Sequence, residues 1–202
     1  MTKIMSKAER LNKALELGLP VPNFEVVKNF EDIKWAGEKE AYCGWTIRTS
    51  LDEGRGFSLP FAPEISKEEI KKKIPEFKEK LGALSERANF IIYPAWKFKR
   101  TGNTVVSGNK IIIEGVRDTL FPEKPVPDVH YTFIKRGNSL PILEKFKGDK
   151  ELLNQKELLM LLDTAKKVKM DGVLIEWFFD EKKNFHVYDL VPFKEGKRED
   201  AD

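Results

Sequence analysis

Lys7 is the first residue whose position suggests chemistry, because it falls in the first turn of a predicted helix, in the stretch SKAERLNKALELG. Ser6 and Glu9 have the spacing of a capping box, and a glycine and two prolines between positions 18 and 22 end the helix. A helix N-terminus carries about half a positive charge, so a lysine there is slightly unfavourable unless an anion is bound. A phosphate would contact both the amides and the ammonium group. A solvent-exposed lysine beside the cap is the alternative, and the spacing alone leaves both open.

Arg48 lies in the predicted strand GWTIRTS, where side chains alternate between the two faces. It shares one face with Thr46 and Ser50. An arginine flanked by hydroxyl groups, before a glycine-containing turn, can bind two phosphate oxygens with its planar guanidinium. An ordinary surface arginine is the alternative.

Two carboxylates face each other in the last predicted hairpin, formed by VLIEWFF and FHVYDLVPF around a loop at residues 181–184. This loop length places Glu176 opposite Asp189. Opposed carboxylates repel each other across a ladder, and Mg²⁺ would relieve that repulsion because it takes one or two carboxylates together with phosphate oxygens. A register slip of one residue would instead place the carboxylates on opposite faces. Both interpretations stay open.

Other charged residues and both histidines are single groups on predicted strands. Glu114, Asp128 and Lys135 lie near strand ends, and His130 and His186 lie within strands. A strand histidine more often satisfies a local hydrogen bond than catalyses a reaction. From their sequence context alone we predict structural roles for all five.

The elements that must position these residues indicate an α+β chain of two lobes, with a boundary near residue 95. In the first lobe the predicted strands are FEVV, GWTIRTS, FSLPFA and NFIIYPAW. A short helix is predicted from Asn29 through about Ala36. A longer helix begins at Ser66, and Pro75 should kink or break it. The second lobe is rich in strands and contains an amphipathic helix that begins at Asn154. We place the lobes at residues 1–95 and 96–193 and a polar tail at 194–202.

Composition excludes several classes of protein. The chain has 202 residues, of which 41% are hydrophobic, and no apolar run is long enough to cross a membrane. Cys43 is the only cysteine, so an internal disulfide or a cysteine-cluster metal site is excluded. The 36 basic residues nearly balance the 33 acidic ones, so nucleic acid is not an expected partner. We expect a soluble cytoplasmic protein, and the Lys- and Glu-rich composition is typical of a thermophile.

Several stretches resemble one enzyme family. SKAERLNKALELGLPVPNF is similar to the N-terminal signature of the phosphoenolpyruvate synthase and pyruvate phosphate dikinase family, GGK-x-A-N-L followed by Gly-(Ile/Leu)-Pro-Val-Pro-x-Gly-Phe. Lys7 matches its phosphate-binding lysine. TIRTSLDEGRGFSLPFA resembles VRSSATAEDLPxASFAG, which places Arg48 on the triphosphate-binding arginine.

Two later stretches continue the resemblance in the family's order. KIIIEGVRDTLFPEKPVPDVHYTFIKRG is similar to the segment that ends in nPDxyxvxK, matching Asp128 and Lys135. LIEWFFDEKKNFHVYDLVPF is similar to DIEWAxD…LYILQxRP. Glu176 then takes the position of the metal-binding Glu, Asp189 that of the metal-binding Gln, and Pro192 that of the Pro.

The resemblance implies a two-lobe ATP-grasp fold with mostly antiparallel sheets that binds ATP and Mg²⁺ between the lobes. Lys7 and Arg48 would hold the phosphates and act in catalysis. The segment FIIYPAWKF would be the hinge against the adenine, with backbone groups near Tyr93 to Trp96 reading the base. Nucleotide contacts are then expected at Tyr93, Ala95, Trp96 and Glu114. Glu176 and Asp189 would hold the metal.

The chain also departs from the family pattern. Met5-Ser6 replaces the glycine pair before the lysine, and residues 116–119 replace a GLGE segment. Leu174 and Val191 stand where the family has an aspartate and an arginine. The phosphohistidine and phosphoenolpyruvate-binding domains have no counterpart in the sequence, so we expect a shortened, stand-alone protein.

These observations predict an ATP- and Mg²⁺-dependent enzyme, a phosphotransferase or ligase-like protein related to the phosphoenolpyruvate synthase ATP-binding domain. The acceptor would be a small molecule or the histidine of a partner protein. Two alternatives stay open: a non-catalytic nucleotide sensor or subunit, and a nucleic-acid-binding protein.

Overall fold

The structure is a computed structural model that describes residues 5–41, 43–52, 59–118, 126–137, 139–168, 170–194 and 197–198. The chain divides into two compact units: Met1–Asn12 with Pro22–Lys97, and Lys13–Val21 with Phe98–Asp202. Helix α1 (Lys7–Glu16) therefore belongs to the first unit up to Asn12 and to the second from Lys13. Each unit has its own sheet and hydrophobic core.

The first unit is built on a four-stranded antiparallel sheet. Its strands are β1 (Glu25–Val27), β2 (Trp45–Leu51), β3 (Phe61–Ile65) and β4 (Ala88–Pro94), in the order β1-β4-β2-β3. Helix α2 (Lys67–Leu81) packs Ile70, Ile74 and Phe77 into the core of this unit. The apolar side of β2, which includes Ile47, lies in the same core. Thr46, Arg48 and Ser50 therefore point to the other face of the sheet.

The second unit is built on a seven-stranded sheet in the order β11-β10-β9-β5-β6-β7-β8, and all its pairings are antiparallel. The strands are β5 (Phe98–Ser107), β6 (Lys110–Arg117), β7 (Val129–Ile134), β8 (Ile142–Gly148), β9 (Val173–Asp180), β10 (Phe185–Lys194) and β11 (Lys197–Arg198). Helix α3 (Gln155–Lys167) covers one face with Leu161, Leu162 and Ala165. The α+β class and the antiparallel sheets predicted from the sequence are confirmed.

Trp177 fixes which face of the second sheet is apolar. Its ring is fully buried and lies over Gly102 and Gly115 of the neighbouring strands, and its indole N–H donates to the Thr104 hydroxyl at 3.0 Å. A Cβ at Gly102 would overlap this ring and the Glu114 carbonyl oxygen. Because adjacent side chains alternate, locking Trp177 into the core sends Glu176 to the opposite face.

Three local predictions need correction. The helix that begins after Asn29 is a single 3₁₀ turn, Phe30–Asp32, and does not extend to Ala36. The Glu25 carboxylate accepts the Lys34 and Ala36 amides, both at 2.6 Å, around Trp35 at φ +60°, which an α-helix cannot continue through.

The third strand begins at Phe61, later than the predicted FSLPFA, of which residues 57 and 58 lie outside the described residues. Pro75 was predicted to kink or break this helix, and of the two the break does not occur, because α2 continues through Pro75. The predicted helix starts at Ser6, Ser66 and Asn154 are confirmed, and each has the hydrogen bonds of a capping box. No helix in the described part of the chain is long and apolar enough to cross a membrane.

Candidate functional site

The start of helix α1 is fixed to strand β2. The Ser6 amide donates to the Glu9 carboxylate at 2.7 Å, and the Glu9 amide donates to the Ser6 hydroxyl at 3.2 Å, as in a capping box. The Ala8 amide donates to the Ser50 hydroxyl at 3.4 Å, and Ser50 is buried. Lys7 is therefore carried by a helix turn whose backbone is anchored to the strand that carries Arg48.

Arg48 lies on the same face of β2 as Ser50, two residues away, which is about 7 Å along a strand. Its neighbour Thr46 pairs with Tyr93 of β4, so Tyr93 shares this face as well. The Arg48 guanidinium carbon lies 5.8 Å from the centre of the Phe61 ring, on the adjacent strand β3. One face of the first sheet thus carries Arg48 and Tyr93, and the helix that bears Lys7 is bonded to it.

The segment expected to read adenine is ordered by internal contacts. Tyr93 and Trp96 are stacked, with ring centroids 6.2 Å apart and planes 11° apart. The Ala95 amide donates to the Gly44 carbonyl at 2.9 Å, and both Ala95 and Trp96 are buried. Since its amide already has a partner, a base contact at Ala95 would use the carbonyl oxygen.

Glu176 and Asp189 are paired across β9 and β10, as the sequence predicted, and the one-residue slip does not occur at this position. The sequence did not predict the irregular strand pairing that produces this register. Beside the loop Val187 pairs with Trp177, and Tyr188 is then an extra residue, a β-bulge, before Asp189 meets Glu176. Strict alternation from Val187, which is fully buried in the core, would have turned Asp189 into the core.

A row of polar residues crosses the face of the second sheet opposite α3, which we call the polar face. Register pairs link neighbours in the order Asp189, Glu176, Asn103, Glu114, His130 and Lys147, one from each strand from β10 to β8. His130 is fixed at both ring nitrogens, since Nδ1 lies 2.9 Å from the Glu114 carboxylate and Nε2 lies 3.0 Å from the Thr132 hydroxyl. Asp189 is only 4% exposed, and its carboxylate accepts the Leu190 amide at 2.8 Å.

The donors on the polar face suit a hard cation. Asp189 and Glu176 offer carboxylate oxygens, and Asn103, which pairs with Glu176, offers an amide oxygen. Oxygen-only ligands are those that Mg²⁺ takes, usually with few protein groups. Within the described residues there is no group of three or more His, Cys, Asp or Glu side chains able to hold a metal by itself. Such a pair therefore needs further oxygens, such as those of a phosphate.

Asp128 lies just before β7 and Lys135 just after it. The Asp128 carboxylate accepts the Arg117 amide at 2.9 Å, and Arg117 forms an ion pair with Asp149. The Asp149 pKa is held below its usual value, first by the Glu151 amide and then by Arg117. Lys135 borders a groove of about 470 Å³ whose other lining residues include Gly108, Lys166 and Asp171.

Sequence reasoning missed Asn103 and the partners of His130 and Arg100. The Arg100 guanidinium is buried and bonds the Glu157 carboxylate at 2.7 and 2.8 Å and the Leu152 carbonyl at 2.6 Å. Alternation along β5 could have placed Asn103 on the face of Glu176 once the strand pairing was known. No local pattern links Arg100 to Glu157, because they are 57 residues apart.

Known structures show the fold. No protein-family model and no curated protein matches the sequence. The ADP complex of an N5-carboxyaminoimidazole ribonucleotide synthetase is similar with a TM-score of 0.52 and 18% identity, over 96% of this chain and 46% of that one. Biotin carboxylase from Campylobacter jejuni, in a β-γ-ATP complex, is similar with a TM-score of 0.59 and 10% identity, over 96% of this chain and 41% of that one.

The macrocyclase MdnC from Microcystis aeruginosa MRC, bound with precursor peptide MdnA, is similar with a TM-score of 0.54 and 13% identity, over 93% of this chain and 52% of that one. The chain thus spans about half the length of these structures. Their likeness shows an α+β ATP-grasp fold.

Proposed function

We propose that this protein binds ATP with Mg²⁺ and transfers its terminal phosphoryl group to an acceptor. The observation that carries the proposal is the Glu176–Asp189 pair, two opposed carboxylates on the polar face of an ATP-grasp sheet. Opposed carboxylates are unfavourable by themselves, and a divalent cation shared with phosphate oxygens removes the repulsion. The ADP and ATP complexes of the similar structures support a nucleotide as the source of those oxygens.

The first unit would supply the groups that bind the phosphates. Lys7 would present its ammonium group beside the α1 amides, and Arg48 would use its fork of N–H donors. Both carry positive charge toward a triphosphate, so they would neutralise charge that develops on transfer. Tyr93, Ala95 and Trp96 would contact the base, with the Ala95 carbonyl as acceptor, and Glu114 would face a hydrogen-bond donor of the nucleotide or acceptor.

The second unit would supply the metal ligands, Glu176 and Asp189, with Asn103 beside them. These residues would hold Mg²⁺, whose chemistry when bound is to offset part of the negative charge of the phosphates. In this scheme the protein's own residues orient the phosphates relative to the acceptor. This matters because phosphoryl transfer depends mainly on the positions of the reacting groups.

The resemblance of the motifs supports a phosphotransferase related to phosphoenolpyruvate synthase, whose acceptor is a small molecule or a protein histidine. The similar synthetases support a ligase-like acceptor chemistry instead. A screen of candidate acceptors would separate the two. Both reactions release ADP, but a ligase also releases inorganic phosphate, whereas a phosphotransferase leaves the phosphoryl group on the acceptor.

Nucleotide binding is tested by thermal unfolding with ATP, ADP, AMP and GTP, each with and without Mg²⁺. Ligand at about 100 times its dissociation constant should add roughly 2.7 kcal/mol to the free energy of unfolding. Glu176→Gln should remove the Mg²⁺-dependent part of this gain and leave the ligand-free midpoint close to that of the wild type. Glu181→Gln, in the exposed loop of the same hairpin, is the matched control. A panel without any stabilisation would contradict the proposal.

A non-catalytic nucleotide sensor is the second candidate, and one observation favours it. Leu174 and Val191 pair with each other two residues along the strands from Glu176 and Asp189, and both are buried. Both side chains are uncharged, whereas the family that the motifs resemble has an aspartate and an arginine at these two positions. A sensor would gain stability from ATP–Mg²⁺ but release no ADP with any acceptor over many hours.

A further inference from the structure

Strand β8 is the last strand in the order of the second sheet, and its outer side has no neighbouring strand within the described residues. All of its residues except Phe146 are exposed. Leu140, Ile142 and Leu143, at its start and just before it, are 66%, 49% and 48% exposed. An exposed apolar edge strand pairs readily with another chain, because its N–H and C=O groups on that side have no strand partner. This edge therefore offers a surface for one further strand.

Only the second half of β8 carries the charged residues that discourage such pairing. Lys145 and Lys147 lie there, and lysines on an edge strand usually protect it. The first half, with Ile142 and Leu143, is apolar and is followed by Glu144. A strand that fits this edge must therefore place apolar groups against the first half and an acidic group against the second.

A β-bulge gives β8 the same order of faces when it is read from its centre in either direction. The pairings with β7 place Leu143 and Phe146 on the core side, and Ile142 and Lys147 on the polar face. In a regular strand, residues three or five positions apart would lie on opposite faces. The extra residue at Glu144, where the register with β7 shifts, cancels this alternation.

We propose that β8 pairs with β8 of a second copy of this chain, antiparallel and about a twofold axis between Glu144 and Lys145. Glu144 of each copy then lies opposite Lys145 of the other, so the dimer contains two cross-strand pairs of opposite charge. A register shifted by one residue would instead place Lys145 opposite Lys145, or Glu144 opposite Glu144. The charges therefore select one register.

The other pairs in this register match as well. Leu143 of one copy meets Phe146 of the other on the core side, and Phe146 is only partly buried by its own sheet. Ile142 meets Lys147 on the polar face, where the aliphatic part of a lysine side chain can cover an apolar neighbour. Pairing occupies the same edge in both copies, so the assembly closes at two. The inference is independent of the proposed function, because it uses no nucleotide contact.

Sedimentation velocity from about 10 µM to about 1 mM protein measures the Kd of the dimer. The interface is one strand pairing, smaller than a standard protein interface, so we expect a dimer that dissociates on dilution within this range. Glu144→Lys and Lys145→Glu should each raise the Kd at least about tenfold, because both charge pairs then become like-charged. An equimolar mixture of the two variants should dimerise with the wild-type Kd, since each pair again joins a lysine to a glutamate.

The mixture keeps the test decisive, because variants that had merely lost their fold would not recover dimerisation on mixing. Glu151→Lys and Lys156→Glu make the same charge changes at exposed positions outside β8 and should leave the Kd unchanged. A wild type that stays monomeric at the highest concentration overturns the inference and leaves this edge to a protein of different sequence. Single variants that dimerise as well as their mixture, or wild-type assemblies larger than a dimer, overturn it too.

Discussion

At the scale of single residues, Arg100 and Glu157 form a buried ion pair. Their side chains are 11% and 6% exposed, and Glu157 also accepts the Asn154 amide at the start of α3. A buried ion pair adds little net stability over apolar residues of similar volume, but removing one partner strands the other charge. The pair therefore fixes where α3 begins relative to β5.

Glu157→Leu should lower the free energy of unfolding by about 3–5 kcal/mol, because Arg100 would remain buried without its carboxylate. The double variant Arg100→Met/Glu157→Leu should recover most of this loss. Urea unfolding measures both. Glu16→Gln, which removes the exposed pair with Lys13, should cost less than about 1 kcal/mol and serves as the control. A double variant less stable than the single one would contradict the argument.

Glu76 on α2 makes a pH-dependent contribution to stability. Its carboxylate accepts hydrogen bonds from Lys73 and Lys80, both at 2.7 Å, and these lower its pKa from 4.5 to about 2. Because the folded-state pKa is the lower one, the contribution is fully present above pH 4.5. It is lost as the pH falls from there through about 2.

Glu76→Gln should therefore differ from the wild type in free energy of unfolding at pH 5 and converge with it toward pH 2. Urea unfolding across this range measures the convergence, and an NMR titration of the Glu76 carboxyl reports its pKa directly. Glu79→Gln, an exposed change on the same helix, is the control. If the difference in free energy of unfolding between Glu76→Gln and the wild type stays constant from pH 5 to 2, Lys73 and Lys80 do not stabilise the charged form of Glu76.

At the scale of elements, the two glycines beneath Trp177 decide how β5, β6 and β9 fit together. A Cβ at Gly102 would overlap both the Glu114 carbonyl and the Trp177 ring, so both backbone and ring would have to move. At Gly115 a Cβ would meet the ring and the Val129 side chain at 3.3 Å, a contact that small shifts relieve. The same substitution at these two positions thus separates a backbone clash from a tight contact.

Gly102→Ala should destabilise the protein by at least about 1–3 kcal/mol, the usual cost of overpacking, and Gly115→Ala by clearly less. Urea unfolding gives the two values, and near-UV circular dichroism reports the environment of Trp177. Equal effects of the two substitutions would mean that the sheet relaxes around Gly102 as easily as around Gly115.

Some of these elements could be predicted from the sequence and others could not. The difference depends on how far apart in the chain the residues that fix each element lie. Capping boxes and apolar periodicity identified α1, α2 and α3, because helix signals lie within a few residues of one another. Loop length predicted the pairing of Glu176 with Asp189, but beside the loop the register is one residue off, with Phe185 opposite Phe179, and the bulge at Tyr188 restores the predicted pair. The sequence could not reveal this bulge, since it depends on which residues fill the core. The turn at Trp35 depends on Glu25, which is 11 residues before Ala36, so no helix signal near Asn29 could reveal it.

At the scale of the whole molecule, nearly balanced charge argues against a polyanion as the main partner. The net charge is +3, from 36 basic and 33 acidic residues. Proteins that bind nucleic acid through phosphates release counterions and weaken steeply with salt. We expect no binding of single-stranded or duplex RNA at physiological salt, which a fluorescence anisotropy titration can check. Tight binding that falls steeply with added salt would favour the nucleic-acid alternative.

The two units also provide a test of whether the proposed nucleotide site draws on both of them. Each has a separate core, with the larger one in the second unit, so in the free protein amide exchange should be slowest in β5 and β9. If Lys7 and Arg48 bind the phosphates while Glu176 and Asp189 hold the metal, ATP–Mg²⁺ should slow exchange in α1 and β2 and in β9 and β10. Hydrogen exchange with mass spectrometry resolves these segments. ATP without Mg²⁺ should protect the first unit more than the second, because the carboxylates contribute through the metal. Protection confined to one unit under all conditions would mean that the nucleotide is held by that unit alone, and the residues assigned in the other would lose their role.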